Sequence, residues 1–171
     1  NGADKVLINT KLKKKLLTEI SEVYGEQSII GGIDYINIKN KKKVYKENGT
    51  KEIQDDIKKY LNKVSKLPIG EIYLNSIDKD GTGMGLDFTI LDFLPKSNNK
   101  SIIISGGSGN SIHIASGLKN HNIDAVATSN LLNFVGDGLL KARMELLEKN
   151  FNLPVWNANI IKELNNKLKQ R

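Results

Sequence analysis

Five short apolar runs, rich in isoleucine and valine, recur along this chain and alternate with helical patterns. The runs cover residues 5–10, 28–34, 71–77, 101–107 and 124–130. Such nearly continuous runs are typical of strands buried on both faces of a parallel sheet. The spacing predicts helices over 11–24, 52–66, 87–97, 110–121 and 136–151, with a last polar helix near 159–170. The alternation therefore predicts a right-handed parallel α/β fold.

One segment interrupts this alternation between Ile33 and Glu52. Polar and apolar residues alternate on either side of Asn40, and Asn48-Gly49 forms a second turn signal, so we expect a small hairpin after the second strand. With 171 residues and no linker-like stretch, we expect residues 1–171 to form a single domain. Five parallel strands fit a doubly wound sheet, or the later part of an eight-stranded (β/α)8 TIM barrel.

The composition limits the classes of molecule that we expect this chain to bind. Two lysine clusters, at 11–15 and 39–43, contribute much of the net charge of +7. A basic patch can bind nucleic acid, but arginine is scarce and aromatic residues make up only 6%, so we favour solvated lysine faces and no nucleic-acid partner. No apolar run approaches the roughly 20 residues of a membrane span and cysteine is absent, so we expect a cytoplasmic protein without a membrane partner.

The stretch 78–83 reads DKDGTG and has the acidic, glycine-rich composition of a calcium-binding loop. Its twelfth position, however, is Thr89, where such a loop needs a bidentate carboxylate. A predicted strand also precedes Asp78 where a helix should stand. We therefore expect no metal here, and interpret the stretch as a strand-to-helix loop in which Asp80 and the Gly81 backbone address a phosphorylated or hydroxylated ligand, while Asp78 binds substrate or holds the loop.

Polar residues and glycines collect where the predicted strands end, which is the edge that carries the site in parallel α/β folds. Glycines at 106–107 let a backbone approach an anion, with Asn110 capping the next helix; a tight turn is the plain alternative. Asp34 ends an apolar run and suits general acid/base work, or it caps the following turn. His113 and His121 fit surface or packing roles.

The segments "GADKVLINT", "IIGGID", "GEIYLNSIDKDGTGMGLD", "ISGGSGN" and "DAVATSNLLNF" resemble, in this order and spacing, the cyclase subunit of imidazole glycerol phosphate synthase. The resemblance runs over nearly the whole chain and implies strands four to eight of a (β/α)8 barrel. The first three βα units of that family, with a second catalytic aspartate and part of one phosphate site, have no counterpart in these 171 residues.

The resemblance also implies a reaction and the residues that perform it. A partner glutaminase supplies ammonia, which crosses the barrel and converts a phosphoribulosyl formimino aminoimidazole carboxamide ribotide to imidazole glycerol phosphate and aminoimidazole carboxamide ribotide, without a cofactor. Asp34 corresponds to a catalytic acid/base. The positions that correspond to substrate and phosphate binding are Asn9, Thr10, Asn75, Asp80, Gly81, Gly106, Gly107, Thr128 and Ser129. Those that correspond to the ammonia gate and glutaminase contact are Asp4, Lys5 and Glu71, although a plain salt bridge between Lys5 and Glu71 is equally expected.

Some residues depart from the family's pattern. Asn75 stands where the family usually has threonine, and the sequence "TSN" at 128–130 replaces a more usual Ala-Ala-Ser or Ala-Ser-Ser ending. These departures concern the substrate more than the fold. They leave open an alternative, in which a paralogue supplies ammonia for sugar amidation in surface-polysaccharide biosynthesis.

Overall fold

A computed structural model describes residues 2–39, 41–129 and 138–153 of the chain. The strands are β1 (Val6–Ile8), β2 (Ile29–Ile38), β3 (Lys41–Lys46), β4 (Lys51–Ile53), β5 (Glu71–Ser76), β6 (Ser101–Ser105) and β7 (Ala125–Val126). The α-helices are α1 (Lys14–Tyr24), α2 (Ile57–Val64), α3 (Ser111–Leu118) and α4 (Gly138–Glu148). Two 3-10 helices cover Glu26–Ser28 and Phe88–Phe93.

The five predicted parallel strands are confirmed, and they lie side by side in chain order. β1 pairs with β2, β2 with β5, β5 with β6, and β6 with β7, all in parallel. A doubly wound sheet reverses its strand order at a switch point, and among the described strands no such reversal occurs. Sequential parallel strands with intervening helices are the arrangement of a (β/α)8 barrel, and the described residues form part of one.

The predicted hairpin after the second strand is also confirmed, and it extends the sheet further than expected. β2 continues past its parallel pairing and turns into β3, which pairs antiparallel with both β2 and β4. Asn40, at the first of the two predicted turns, lies outside the described residues. At the second turn, Glu47, Asn48 and Gly49 all adopt positive φ angles, the conformation that Asn and Gly tolerate best.

The apolar core lies between the sheet and the helices on one of its faces. Alternate residues of β2, including Ile29, Ile33 and Tyr35, are fully buried there, as the two-residue period of a strand requires. α2 begins at its N-cap Asp56, whose carboxylate accepts hydrogen bonds from the backbone N–H groups of Lys58 (3.0 Å) and Lys59 (3.2 Å). Its buried residues, which recur at helical spacing on one face, are Ile57, Leu61 and Val64.

Two predicted helices differ from the structure. The segment 87–97 forms only the short 3-10 helix Phe88–Phe93, because Asp87 caps its start and Pro95 disfavours helical continuation at the residue before it. The predicted helix 52–66 begins only at Ile57, since Glu52 and Ile53 belong to β4. The predicted helix near 159–170 lies outside the described residues.

A buried ion pair joins the hairpin to the loop after β5. The Lys42 ammonium contacts the Asp87 carboxylate, with only 4% and 7% of the two side chains exposed. The same ammonium lies 5.2 Å from the centre of the Tyr35 ring, a cation–π distance. Burial alone raises the pKa of Asp87, but hydrogen bonds from Lys42 and Thr89 outweigh it and hold that pKa below its ordinary value.

We predict that Lys42→Met lowers the free energy of unfolding by about 3–5 kcal/mol, because it leaves the buried Asp87 charge without its partner. The double variant Lys42→Met/Asp87→Asn recovers part of this loss, since Asn carries no charge and still accepts from Thr89. Urea unfolding measures both variants.

The matched control is Lys43→Met. Lys43 neighbours Lys42 but pairs with Glu52 at the surface, 2.9 Å away, with 40% of its side chain exposed, so its loss should leave stability nearly unchanged. Equal losses of unfolding free energy in the two single variants would show that the buried Lys42 pair stabilises the fold no more than the exposed Lys43 pair.

Candidate functional site

The carboxylate of Asp34 lies between two amide side chains at the carboxyl ends of the parallel strands. Asn9 Nδ2 donates to Asp34 Oδ2 at 2.8 Å, and Asn75 Nδ2 donates to Asp34 Oδ1 at 3.1 Å. The register makes this possible, because Asp34 and Asn75 are direct partners in the β2–β5 pairing. Both carboxylate oxygens are therefore held in place, which fixes the orientation of a group suited to proton transfer.

Asp34 does not cap a turn, which was the alternative to a catalytic role. β2 continues four residues beyond it, to Ile38. The residue is half-buried, on the opposite face of the sheet from the helix-packed Tyr35. The strand thus positions Asp34 on the face that lines the interior of a barrel.

Tyr73 lies on the same face of β5 as Asn75. Burial is the main cause that raises the pKa of its phenol; the Ser105 hydroxyl partly offsets this, and the charges of Asp80 and Asp34 raise it further. The phenol therefore stays protonated and neutral at neutral pH.

The loops that follow β5 and β6 pack backbone against backbone. A Cβ added to Gly106, whose φ is +91°, would lie 2.3 Å from the Ser76 carbonyl oxygen, and one added to Gly107 would lie 2.2 Å from that of Gly85. Gly85 N–H donates to the Gly107 carbonyl oxygen at 2.7 Å. The glycines are thus required by the contact between two loops, in addition to any approach of a ligand.

Asp78 holds its loop rather than standing free. Its carboxylate accepts from Ser76 Oγ at 2.7 Å and from the Asn37 backbone N–H at 3.4 Å, which ties the loop to β2. Asp80 and Gly81 lie further along, and both are exposed. Thr10 is engaged as well, since its hydroxyl oxygen accepts from the Glu47 backbone N–H of the hairpin turn at 3.1 Å.

The predicted cap at Asn110 is confirmed, because its side chain accepts from the His113 backbone N–H at 2.9 Å at the start of α3. Thr128 Oγ1 donates to the Ser108 carbonyl oxygen at 3.2 Å, so the loop after β7 contacts the loop after β6. Ser129 is exposed. Residues 130–137, which follow it, lie outside the described residues.

Lys5 and Glu71 form an ion pair at the opposite, amino-terminal end of the strands. Because Lys5 precedes β1 and Glu71 begins β5, the pair spans β2 across the face that carries Asp34. Glu71 has 19% of its side chain exposed and Lys5 45%. The predicted salt bridge is confirmed; the gating role stays a prediction. Asp4 is exposed at this end.

Sequence reasoning missed two buried polar groups, one in the loop after β6 and one on the opposite face of the sheet. The Ser108 hydroxyl is buried without a hydrogen-bond partner in the described part of the chain; its position after two glycines in an anion-binding type of loop was a signal for it. Lys42 was placed on a solvated lysine face. Its spacing of two from the apolar Val44 was the signal that it shares the buried face of β3.

Within residues 2–39, 41–129 and 138–153, no three acidic, histidine or cysteine side chains are grouped so that they could hold a metal ion. In the same residues, no helix combines the length and apolar character that a membrane span requires.

Residues 1–135 match the model of a family described as histidine biosynthesis protein. The chain is 43% identical over 145 residues to a Parasynechococcus marenigrum protein provisionally named imidazole glycerol phosphate synthase subunit hisF2. The match covers 84% of this chain and 54% of that protein. It is 38% identical over 160 residues to imidazole glycerol phosphate synthase subunit HisF of Sulfurisphaera tokodaii, and the match covers 91% of this chain and 62% of that protein. It is 34% identical over 151 residues to the HisF subunit of Prosthecochloris aestuarii, and that match covers 87% of this chain and 60% of the relative.

We predict that Gly106→Ala destabilises the chain far more than Gly81→Ala. Both glycines have positive φ, so each alanine costs about 1–2 kcal/mol in backbone strain. Only the alanine at 106 also overlaps the Ser76 carbonyl, which adds about 1–3 kcal/mol, whereas a Cβ at 81 meets nothing within 4 Å. Urea unfolding of the two variants measures the difference. Equal losses would mean that the contact between the loops does not constrain Gly106.

Proposed function

This chain belongs to the histidine biosynthesis protein family, and we propose that it carries part of the active site of an imidazole glycerol phosphate synthase cyclase. The chain spans about 54–62% of the length of the relatives compared above, so the reaction is proposed for the protein as a whole. That protein uses ammonia to convert the formimino ribotide named above to imidazole glycerol phosphate and aminoimidazole carboxamide ribotide, which is lyase chemistry in the cytoplasm.

One observation carries the proposal: the cluster of Asn9, Asp34 and Asn75 at the carboxyl ends of three adjacent strands. A half-buried carboxylate held by two N–H donors is positioned to exchange protons with a bound substrate. In a barrel this is the end at which catalytic residues gather. Asp34 is the general acid/base of the proposed reaction.

The glycine-rich loops supply the proposed phosphate site. Backbone N–H groups near Asp80 and Gly81, at Gly106 and Gly107, and around Thr128 and Ser129 would face one substrate phosphate, as helix N-termini and loop amides commonly do. The buried Ser108 hydroxyl adds an uncommitted donor in the same loop. Asn9 and Thr10 would contact the second phosphate, each with a hydrogen-bonding group left beyond the contact already described.

A glutaminase subunit is the proposed partner, docked at the amino-terminal end of the strands. The support is the Lys5–Glu71 ion pair, which places two charged groups at that end of the face leading to Asp34. Such a pair can part to admit a small neutral molecule while excluding bulk water. Asp4, exposed beside it, would contact the partner.

We predict that Asp34→Asn, in the full-length gene product assayed with ammonium salt, lowers kcat by about 10²–10⁴-fold, since Asn cannot exchange the proton. Asp92→Asn is the matched control, because Asp92 is an exposed aspartate on the 3-10 helix Phe88–Phe93, outside the cluster. Its turnover should equal that of the wild type. Wild-type turnover in Asp34→Asn would refute the catalytic assignment.

Rescue of a histidine auxotroph by the full-length gene distinguishes the histidine reaction from sugar amidation. None of the three relatives named above is described as a sugar-amidation protein. Failure to rescue, with soluble protein present and no ribotide turnover in vitro, would remove the proposed reaction.

A further inference from the structure

Asn75 leaves one atom without a partner inside the site. Its Nδ2 donates to Asp34, which fixes the amide orientation, and its Oδ1 is buried with no hydrogen bond to any residue that the structure describes. A buried acceptor without a donor is unfavourable, because it has lost its hydrogen bonds to water. Such a cost is tolerated where a ligand supplies the missing group.

The surroundings define which ligand group would satisfy this oxygen. The amide N–H groups of Asn9 and Asn75 that point at Asp34 are both committed to its carboxylate. Beside Asn75 the site offers acceptors, namely Asn75 Oδ1 and the remaining lone pairs of Asp34, while the second N–H of Asn9 stays available to the phosphate proposed above. At neutral pH a phosphate carries at most one proton and acts mainly as an acceptor, so it does not complement Asn75 Oδ1. A nitrogen that bears two or more N–H groups does complement it.

The position of Asn75 on β5 points to the same ligand. Glu71, Tyr73 and Asn75 alternate along one face of that strand. Four residues at about 3.3 Å each separate the ends, so Asn75 lies about 13 Å from the Lys5–Glu71 pair along the strand. Tyr73, a neutral phenol, lies between them. A small neutral molecule that enters beside Glu71 and follows this face passes Tyr73 and then reaches Asn75.

We propose that Asn75 Oδ1 accepts an N–H of the ammonia that reacts beside Asp34. The inference rests on the proposed function, and it narrows the predicted substrate-binding role of Asn75 to one atom and one ligand. Accepting from an N–H leaves the nitrogen lone pair of ammonia free to attack the substrate. Asn75 is thus a binding residue for the nucleophile, while Asp34 handles protons.

The test compares Asn75→Leu with Asn9→Leu in the full-length gene product, with ammonium chloride as the nitrogen source. Each variant removes one N–H donor to Asp34, but only Asn75→Leu removes the acceptor. We expect Asn75→Leu to raise the KM for ammonia about five- to tenfold, the range of one neutral hydrogen bond, with the KM for the ribotide changed less than about twofold. Asn9→Leu should lower kcat and leave the KM for ammonia unchanged. Equal changes in that KM would show that Asn75 only positions Asp34.

A binding measurement keeps this inference separate from the proposed function. The side-chain amide resonances of Asn75 are followed by NMR at about pH 9, where much ammonia is neutral, during titration with ammonium chloride and, as a control, potassium chloride. We expect a saturable shift with the ammonium salt only, and its loss in Asn75→Leu. Absence of that shift overturns the inference even if the wild type turns over the ribotide; its presence supports ammonia binding even if the ribotide is not the substrate.

Discussion

The parallel register between β2 and β5 is the constraint on which the site depends. It sets Asp34 opposite Asn75 and Ile30 opposite Glu71. One strand pairing therefore positions the Asp34 cluster at one end of the strands and the Glu71 carboxylate at the other. A slip of one residue would turn Asp34 toward the helices and Tyr35 toward the interior of the barrel. The fully buried side chains of Ile33 and Tyr35 oppose that slip, because both would leave the core at once.

Much of the fold was predictable because its central strands are buried on both faces and so read as unbroken apolar runs. The cluster around Asp34 followed from polar residues placed where neighbouring parallel strands end. The 3-10 helix Phe88–Phe93 was not predicted, since apolar spacing alone does not reveal that Asp87 caps the segment and Pro95 closes it. The burial of Lys42 was missed because a run of lysines suggests solvent, and only the two-residue period of β3 shows otherwise.

The polar groups of the chain divide between the two faces of the sheet. On the face of Asp34 they remain half-exposed and hold complementary groups for small ligands. On the helix-packed face, Lys42 and Asp87 neutralise each other in the core and fasten the hairpin to the loop after β5. Because Asp78 ties that loop to β2 as well, the segment that presents Asp80 is attached on both sides. Both contacts that attach this segment therefore lie outside the Asp34 cluster.

The packing of the loops after β5 and β6 has a consequence for how such a protein can diversify. With Gly107 lying against the Gly85 carbonyl and Gly106 against that of Ser76, neither loop has room for a new side chain at these points unless the other retreats. Changes at these two contact points must therefore arise as compensating pairs. A search for new ligand preference that varies Gly106 or Gly107 alone would mostly sample destabilised chains, and the productive route at these positions is to exchange both loops as a single cassette.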